Sequence, residues 1–377
     1  MSATHIRSRS LDALPHPSGR TYQTRLSNVQ STFPLHSIDA LVVSRASALR
    51  YLTGFTGSNG LLIVRSRSAR FFTDGRYREQ SRLELGRRIP ITVVPGGLFE
   101  AAVRDGALRN CTVVGFDDSE VSYRRFRDMR RLWRGKHLRP VSGVVEELAC
   151  EKDRTEIAAL ASAARISDTV FGEILTLIRP GIEERELALE ITYRQSRLGA
   201  ERDSFEPIVA SGPRAAMPHA RPGRRTLRRG DPVLLDFGSV VAGYGSDITR
   251  TVFLGRPHHM LRRAYDVVCS AQEAAFDLVR PGAKTRTVDA AARQHIARAG
   301  FGKNFPHSLG HGIGMEVHER PRIAPSSAEI LRAGQVITIE PGIYLPGIGG
   351  VRIEDDLVVT TSGCQILTHS PRELIQL

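Results

Sequence analysis

The sequence has little that would place the protein in a membrane or stabilise it by disulfides. None of its apolar runs approaches the length needed to span a bilayer, and its first residues lack the apolar centre of a signal peptide. Its four cysteines form no close pair, which argues against a disulfide framework and against a cysteine zinc site. These absences predict a cytoplasmic protein with no membrane partner.

Aromatic residues interleaved with basic ones, which are typical of nucleic-acid-binding surfaces, are also missing. The net charge of +13 and the pI of about 10.2 would in general attract polyanions. The excess is nevertheless spread over arginines along the whole chain, and its clusters at 124–134 and 221–229 match no nucleic-acid-binding module. We therefore predict solvated arginine-rich faces and no nucleic-acid partner.

The pattern of apolar runs divides the 377 residues into two domains, because the chain is too long for one typical core. Residues 1–30 are rich in serine and arginine and predict a loosely ordered tail. The alternative, an organelle transit peptide, lacks a convincing amphipathic helix. Short apolar runs alternate with helical patterns over residues 31–148, which predicts an α/β domain, and residues 149–377 form the second domain.

Long helical patterns alternate with glycine-flanked strands in the second domain. Apolar residues at helical spacing predict four helices, over residues 151–178, 183–198, 258–280 and 285–299. Two of the helical patterns stop at a Pro-Gly pair, at 180–181 and at 281–282. The recurrence indicates an internal repeat.

Four acids and one histidine of this domain lie in apolar strands or glycine-flanked turns, where an unpaired charge is costly to bury: Asp236, Asp247, His311, Glu340 and Glu354. Asp236 ends one apolar run and Asp247 opens the next, with glycines between them, so the two runs predict a hairpin. Taken singly, each residue could equally be a capping acid, a core histidine or a surface charge. Taken together, their charges suit two divalent cations, which would leave the site close to neutral.

The segments around these residues resemble the pita-bread family of dinuclear metallopeptidases, in particular aminopeptidase P and prolidase. The resemblance covers most of residues 35–377 and depends on long segments in matching order, at 51–64, 73–77, 211–222, 230–251, 305–323 and 337–360. It implies a creatinase-like α/β amino-terminal domain, followed by a pita-bread α+β catalytic domain, in a homodimer. Methionine aminopeptidases share the metal site but lack the amino-terminal domain.

The resemblance implies a division of the metal ligands between two ions. Asp236 would hold one ion, His311 and Glu340 the other, and Asp247 and Glu354 would bridge them. One imidazole against four carboxylates favours a hard, oxygen-preferring ion. We predict two manganese ions, with cobalt or zinc as possible substitutes.

The resemblance also implies substrate-binding and proton-handling roles for His219, His307 and His318, although a lone histidine is more often structural. Arg352 lies two residues before Glu354 and would share its face of the strand. It could bind substrate, or it could pair with a ligand carboxylate.

This site predicts an exopeptidase. Two ions about 3.5 Å apart can bridge one water and fix it as hydroxide beside the scissile carbonyl, and Glu340 can pass its proton to the leaving nitrogen. Anchoring the free amino end at the metals restricts attack to the first peptide bond, and the resemblance supplies proline as the second residue. The short amino-terminal domain favours an Xaa-Pro aminopeptidase, and a prolidase specific for Xaa-Pro dipeptides is the alternative. A non-catalytic binding module or a creatinase-like hydrolase is disfavoured, because such relatives lack the ligands.

Overall fold

The computed structural model describes residues 18–377, which form two compact units that meet at the peptide bond after Ala149. The first unit is an α/β unit and the second is an α+β unit, as predicted. None of the helices in the described part of the chain combines the length and apolar character needed to cross a membrane.

The first unit contains one six-stranded mixed sheet flanked by short helices. Its helices are α1 Gly19–Ser31, α2 Phe33–His36, α3 Ala46–Thr53, α4 Arg78–Leu85, α5 Leu98–Arg104, α6 Tyr123–Leu132 and α7 Val144–Ala149. Its strands are β1 Ala40–Val43, β2 Gly60–Arg65, β3 Ser68–Asp74, β4 Ile91–Val94, β5 Val113–Phe116 and β6 His137–Pro140. They lie in the order β4-β3-β2-β1-β5-β6.

Helix α1 corrects part of the predicted tail over residues 1–30. The Ser18 side chain caps this helix by accepting a backbone hydrogen bond from its first turn. Arg25 is buried and donates to a backbone carbonyl of α3 at 2.9 Å. The serine and arginine that suggested disorder here serve as a cap and a buried donor. The rest of the predicted tail, residues 1–17, lies outside the described residues.

The second unit carries the four long helices predicted from the sequence: α8 Arg154–Leu175, α9 Glu184–Arg197, α10 His259–Phe276 and α11 Thr285–Arg298. The strands of its first part are β7 Arg202–Asp203, β8 Ile208–Ser211, β9 Pro232–Phe237, β10 Ser239–Val241, β11 Tyr244–Gly245 and β12 Ile248–Phe253. Those of its second part are β13 Gly310–Gly312, β14 Glu319–Ile323, β15 Val336–Ile339, β16 Gly342–Leu345, β17 Gly349–Arg352, β18 Asp355–Val359 and β19 Cys364–Ile366.

The predicted internal repeat is visible in the hydrogen bonds that follow α8 and α10. After α8, the N–H of Gly181 donates to Leu227 O at 2.9 Å, and after α10 the N–H of Gly282 donates to Leu331 O at 2.9 Å. Each of these glycines directly follows the proline of its Pro-Gly pair, and both have a positive φ, which glycine adopts readily. The same turn therefore leads from the longer to the shorter helix in each half.

Each half of the second unit also has its own hydrophobic core. One core packs α8 and α9 against β9 and β12, and the other packs α10 and α11 against β15 and β18. The sheets are β8-β9-β12 in the first half and β14-β13-β15-β18-β19 in the second. An antiparallel bridge between Thr249 and Glu354 connects them, so the edge where the halves meet carries a candidate ligand.

Candidate metal centre

Asp236 and Asp247 lie on the predicted hairpin, which the structure confirms. Strands β9 and β12 pair antiparallel, with Asp236 opposite Thr249 and with Asp247 one residue before β12 begins. Gly238 follows β9 because the neighbouring backbone leaves no room for a side chain. A Cβ there would lie 1.7 Å from the carbonyl oxygen of Ser246.

His311 lies between two glycines because the backbone of neighbouring strands closes in on both sides. A Cβ at Gly310 would lie 2.0 Å from Thr338 O, and one at Gly312 would lie 2.1 Å from Arg320 O. The His311 Nδ1 atom is 3.0 Å from Gly312 O. Since a carbonyl can only accept, Nδ1 carries the proton, and Nε2 is left with a lone pair that can bind a metal.

Glu340 and Glu354 enter the site from the second half of the unit. Glu340 directly follows β15, and its N–H donates to Leu309 O at 2.8 Å. Glu354 lies between β17 and β18, and its N–H donates to Thr249 O at 3.0 Å. The Thr249 hydroxyl donates in turn to Glu354 Oε2 at 2.6 Å, which fixes the carboxylate as well as the backbone.

The structure brings all five predicted ligands into one cluster, in which Glu340 is partly exposed and the other four are buried. One ligand atom from each of Asp247, His311 and Glu354 lies within 4.8 Å of the other two. His311 Nε2 is 3.5 Å from Glu340 Oε1 and 3.9 Å from Asp247 Oδ2. Asp236 is near enough for its charge to raise the pKa of Asp247, Glu340 and Glu354.

The five side chains fit divalent cations, because two of their carboxylate oxygens are buried without a hydrogen-bond partner. Within the described residues, Oδ1 of Asp236 and Oδ1 of Asp247 are buried and have no hydrogen-bond partner, although such atoms normally do. Burial, and then the Glu354 charge, raises the pKa of both Asp247 and Glu340 well above its ordinary value. Burial, and then the Asp236 charge, raises the pKa of Glu354 to about 8. Bound cations would remove this desolvation and repulsion.

The same pKa shifts predict how the stability of the metal-stripped protein depends on pH. Between about pH 7.5 and 9, Glu354 is more protonated in the folded than in the unfolded protein, so rising pH releases protons from the folded state. Burial lowers the pKa of His307 and His311 to about 4, so their effect runs from about pH 4 up through their unfolded-state pKa of about 6.5 and is complete below this window. The free energy of unfolding should fall by up to about 1.4 kcal/mol per pH unit for this one group.

Urea denaturation at several pH values, in chelator and in excess Mn²⁺, measures this slope. The metal-loaded protein should not show the decline, because ion binding to deprotonated carboxylates strengthens as pH rises. A metal-stripped protein that gains stability between about pH 7.5 and 9 would contradict this electrostatic explanation.

Arg352 is buried beside the cluster and is held by protein atoms. It forms an ion pair with Asp236, and its other donors bind Thr249 Oγ1 at 3.1 Å, Pro218 O at 3.2 Å and the Tyr344 hydroxyl at 2.8 Å. Four of its five N–H groups thus have partners within the chain. The structure therefore favours the ligand-carboxylate pairing, and contact between Arg352 and substrate stays a prediction.

His307 and Tyr344 extend this network towards Glu340. His307 Nδ1 donates to Ser308 O at 2.8 Å, so its Nε2 accepts from the Tyr344 hydroxyl at 2.9 Å. His307 Nδ1 is also 4.0 Å from Glu340 Oε2. Tyr344 was missed in the sequence, where it is one apolar strand residue among several.

His219 and His318 are more exposed to solvent than the buried ligands. The His318 ring stacks edge-to-face on the His311 ring, with the centroids 4.5 Å apart. The charge of His219 contributes to lowering the pKa of both His307 and His318, although loss of solvation, which is only partial for His318, is the larger cause in each. The three predicted substrate histidines therefore lie near one another.

Asp356 is a second residue that the sequence reasoning missed. Its Oδ2 accepts the N–H of Asp247 at 2.9 Å, and it is fully buried. Burial raises the pKa of Asp356 well above its usual value. Strand alternation places Asp356 on the same face as Glu354, a signal that was present in the sequence.

Comparison with known proteins identifies the family and the fold of the chain. A family model described as metallopeptidase family M24 matches residues 158–361, and one described as the creatinase/prolidase N-terminal domain matches residues 25–148. The chain belongs to metallopeptidase family M24. The two-domain pita-bread fold expected from the sequence is therefore confirmed, and M24 is a family of dinuclear metal-dependent enzymes.

Three relatives of this M24 chain cover nearly its whole length. An Xaa-Pro dipeptidase of Pyrococcus horikoshii is 34% identical over 342 residues, which are 90% of this chain and 95% of that protein. The solved Xaa-Pro dipeptidase of Bacillus anthracis has a TM-score of 0.91 and 37% identity, covering 94% of this chain and 100% of that one. The X-Pro aminopeptidase of Thermotoga maritima has a TM-score of 0.85 and 33% identity, covering 92% and 100%.

Proposed function

We propose that this protein is an Xaa-Pro dipeptidase, a prolidase, that works with two divalent ions. The observation that carries the proposal is the largely buried cluster of five ligand residues, in a chain that matches enzymes named Xaa-Pro dipeptidase almost from end to end. The ligands are Asp236, Asp247, His311, Glu340 and Glu354.

The comparisons favour the dipeptidase over the Xaa-Pro aminopeptidase that the sequence analysis preferred. That preference depended on the short amino-terminal domain. The chain also covers 95% and 100% of the two dipeptidases, so a short amino-terminal domain does not distinguish the two activities. Xaa-Pro aminopeptidase is kept as the second candidate because of the Thermotoga maritima structure.

The residues of the site can be assigned to the steps of this hydrolysis. When bound, the two ions supply Lewis-acid polarisation of the scissile carbonyl and make a water more acidic. Glu340 accepts the proton of the attacking water and delivers it to the leaving ring nitrogen, which has no hydrogen of its own in an Xaa-Pro bond. His219, His307 and His318 hold the substrate and the oxygen on which negative charge develops.

We propose manganese as the ion, because the donor set is rich in carboxylates, with cobalt or zinc able to replace it. The homodimer and the cytoplasmic location stay predictions from the sequence.

A panel of peptides separates the two candidate activities. With Mn²⁺ bound, the dipeptide Xaa-Pro should be cleaved fastest. Its carboxamide Xaa-Pro-NH₂ and the tripeptide Xaa-Pro-Yaa should be cleaved at least about tenfold more slowly, because a group that binds a free carboxylate loses its partner. The acetylated dipeptide should be inert, since its amine is blocked, and Xaa-Ala should be a poor substrate.

Mass-spectrometric time courses measure all five rates. Equal or faster release of Xaa from the tripeptide would shift the assignment to Xaa-Pro aminopeptidase. Cleavage of none of the free Xaa-Pro substrates by metal-loaded protein would contradict both candidates.

A further inference from the structure

The segment 211–223, which carries His219 and is called the His219 loop below, is held at both ends by a single buried carboxylate. Glu184 is the first residue of α9, and its side chain is fully buried. Its Oε1 accepts from the N–H and the hydroxyl of Ser211, at 2.9 and 2.8 Å. Its Oε2 accepts from Arg214 Nε at 3.0 Å and from the N–H of Gly223 at 3.2 Å. Four donors from one loop therefore converge on one helix residue.

Arg214 forms a second link between the two ends of the same loop. It lies near the start of the loop and donates through Nη2 to Arg221 O at 2.5 Å, close to the other end. His219 lies between these two closures and has an exposed side chain. Pro218 O, one residue before it, accepts from Arg352, which also binds Asp236. The loop is thus fixed both to α9 and to the metal cluster.

The second half of the unit has a comparable arrangement around His307. Asp289 of α11 is buried, and its Oδ1 accepts from the N–H of Leu309 at 3.1 Å. It forms an ion pair with Arg293 at 2.8 Å. Arg293 donates in turn to Phe305 O at 3.1 Å and to His307 O at 2.8 Å. A helix carboxylate and its arginine again hold the segment on both sides of a histidine.

A buried ion pair is weak evidence for stability, because desolvation of the two charges offsets their attraction. The Glu184–Arg214 and Asp289–Arg293 ion pairs each hold the segment of one candidate substrate histidine. We therefore attribute to them a role in positioning the two histidines. Neither carboxylate belongs to the five ligands, and Glu184 has no hydrogen bond to any of them. What the two ion pairs contribute is therefore the position of His219 and His307.

We propose that Glu184 and Asp289 are positioning residues: Glu184 with Arg214 sets the position of His219, and Asp289 with Arg293 sets that of His307. The inference deepens the proposed function and rests on it, because the two histidines act on substrate only if the protein cleaves Xaa-Pro peptides. It assigns no direct substrate contact to either carboxylate.

Glu184→Gln tests the first pair. The amide keeps the size of the side chain but turns one acceptor oxygen into an NH₂ group that faces the donors of the loop. We expect kcat/KM for Xaa-Pro to fall about 10- to 100-fold, the effect of a displacement of roughly 1 Å at an active site. The loss should divide between kcat and KM as it does in His219→Ala, and the metal content should equal that of the wild type.

Double variants distinguish positioning from a general structural defect. If Glu184 acts through His219, Glu184→Gln should cost little more in the His219→Ala background, whereas its full effect should persist in the His307→Ala background. Asp289→Asn should show the reverse pattern, with its effect lost in His307→Ala and kept in His219→Ala. A structural defect would lower kcat/KM in both backgrounds alike.

Two further variants complete the experiment. Glu173→Gln is the matched control, because it removes the ion pair to Arg194 between α8 and α9 without touching either histidine segment, and it should leave kcat/KM unchanged. If Glu184→Gln does not fold, Arg214→Ala replaces it, since this half-buried side chain supplies the same ion pair.

Additive losses of Glu184→Gln and His219→Ala, or loss of metal from Glu184→Gln, would overturn the positioning role while leaving the proposed function intact. Failure of the wild-type protein to cleave Xaa-Pro peptides overturns the proposed function itself, and with it the role of Glu184.

Discussion

Removal of the divalent ions should abolish hydrolysis of Xaa-Pro dipeptides and lower the melting temperature of the protein. Both effects follow from the buried carboxylates: Asp236 and Asp247 each keep an oxygen without a hydrogen-bond partner, and neighbouring acids raise each other's pKa. Cations that bind only the folded chain stabilise it by about 2.7 kcal/mol when their free concentration is one hundred times Kd. The loss of activity should be complete, since the Lewis acid is part of the chemistry.

Chelation, followed by assay and thermal melting with and without added Mn²⁺, measures both effects. His219→Ala serves as the control, because this exposed residue is not a proposed ligand, and its melting temperature should respond to Mn²⁺ as the wild type does. Identical melting curves for stripped and loaded protein would argue against a formed metal site.

Replacement of Glu340 by glutamine should lower kcat by roughly 10²- to 10⁴-fold at saturating Mn²⁺, the range expected for loss of a general acid–base. Glutamine preserves the shape of the side chain and one acceptor oxygen, but it cannot carry a proton. Glu340 is suited to that role because its carboxylate lies in the cluster that would hold the ions, with Oε1 3.5 Å from His311 Nε2. Saturating metal separates this effect from weaker ion binding.

Steady-state kinetics and elemental analysis of the same Glu340→Gln preparation give kcat together with metal content. Glu316→Gln is the matched control, since Glu316 is an exposed residue after the His311 segment and its replacement should leave kcat unchanged. A fully metal-loaded Glu340→Gln protein with wild-type kcat would contradict the assignment of Glu340 as proton carrier.

The ligand cluster could be predicted from the sequence because its residues lie in short local motifs. The backbone geometry of each motif leaves a mark, such as the glycines on both sides of His311, where a side chain would strike a neighbouring strand. The hairpin that brings Asp236 near Asp247 is likewise predicted by two apolar runs separated by glycines. The positions of the four long helices could also be predicted, because the spacing of apolar residues along a helix is a local pattern.

The residues that surround the ligands could not be predicted in this way, because they act over long distances in the chain. Tyr344 meets His307 across 37 positions, and Asp356 meets the backbone of Asp247 across 109. No local pattern separates such a tyrosine from an ordinary strand residue, and strand alternation places Asp356 on the face of Glu354 without indicating that it binds Asp247. For Arg352 both partners were open in the sequence, and only the fold shows the ion pair with Asp236.

The amino-terminal end shows a different limit. Composition indicated disorder up to residue 30, yet Gly19–Ser31 is a helix, because Arg25 is buried against a neighbouring helix. Tertiary contacts outweigh composition where a charged side chain finds a buried acceptor.

Metal content measured against activity tests the central claim most directly. Metal-free protein should be titrated with Mn²⁺ while bound ion, by elemental analysis, and the rate of Xaa-Pro hydrolysis are followed together. We expect two ions per chain, with full activity only when both are bound. Full hydrolysis of the dipeptide by protein that contains no divalent metal would contradict this expectation.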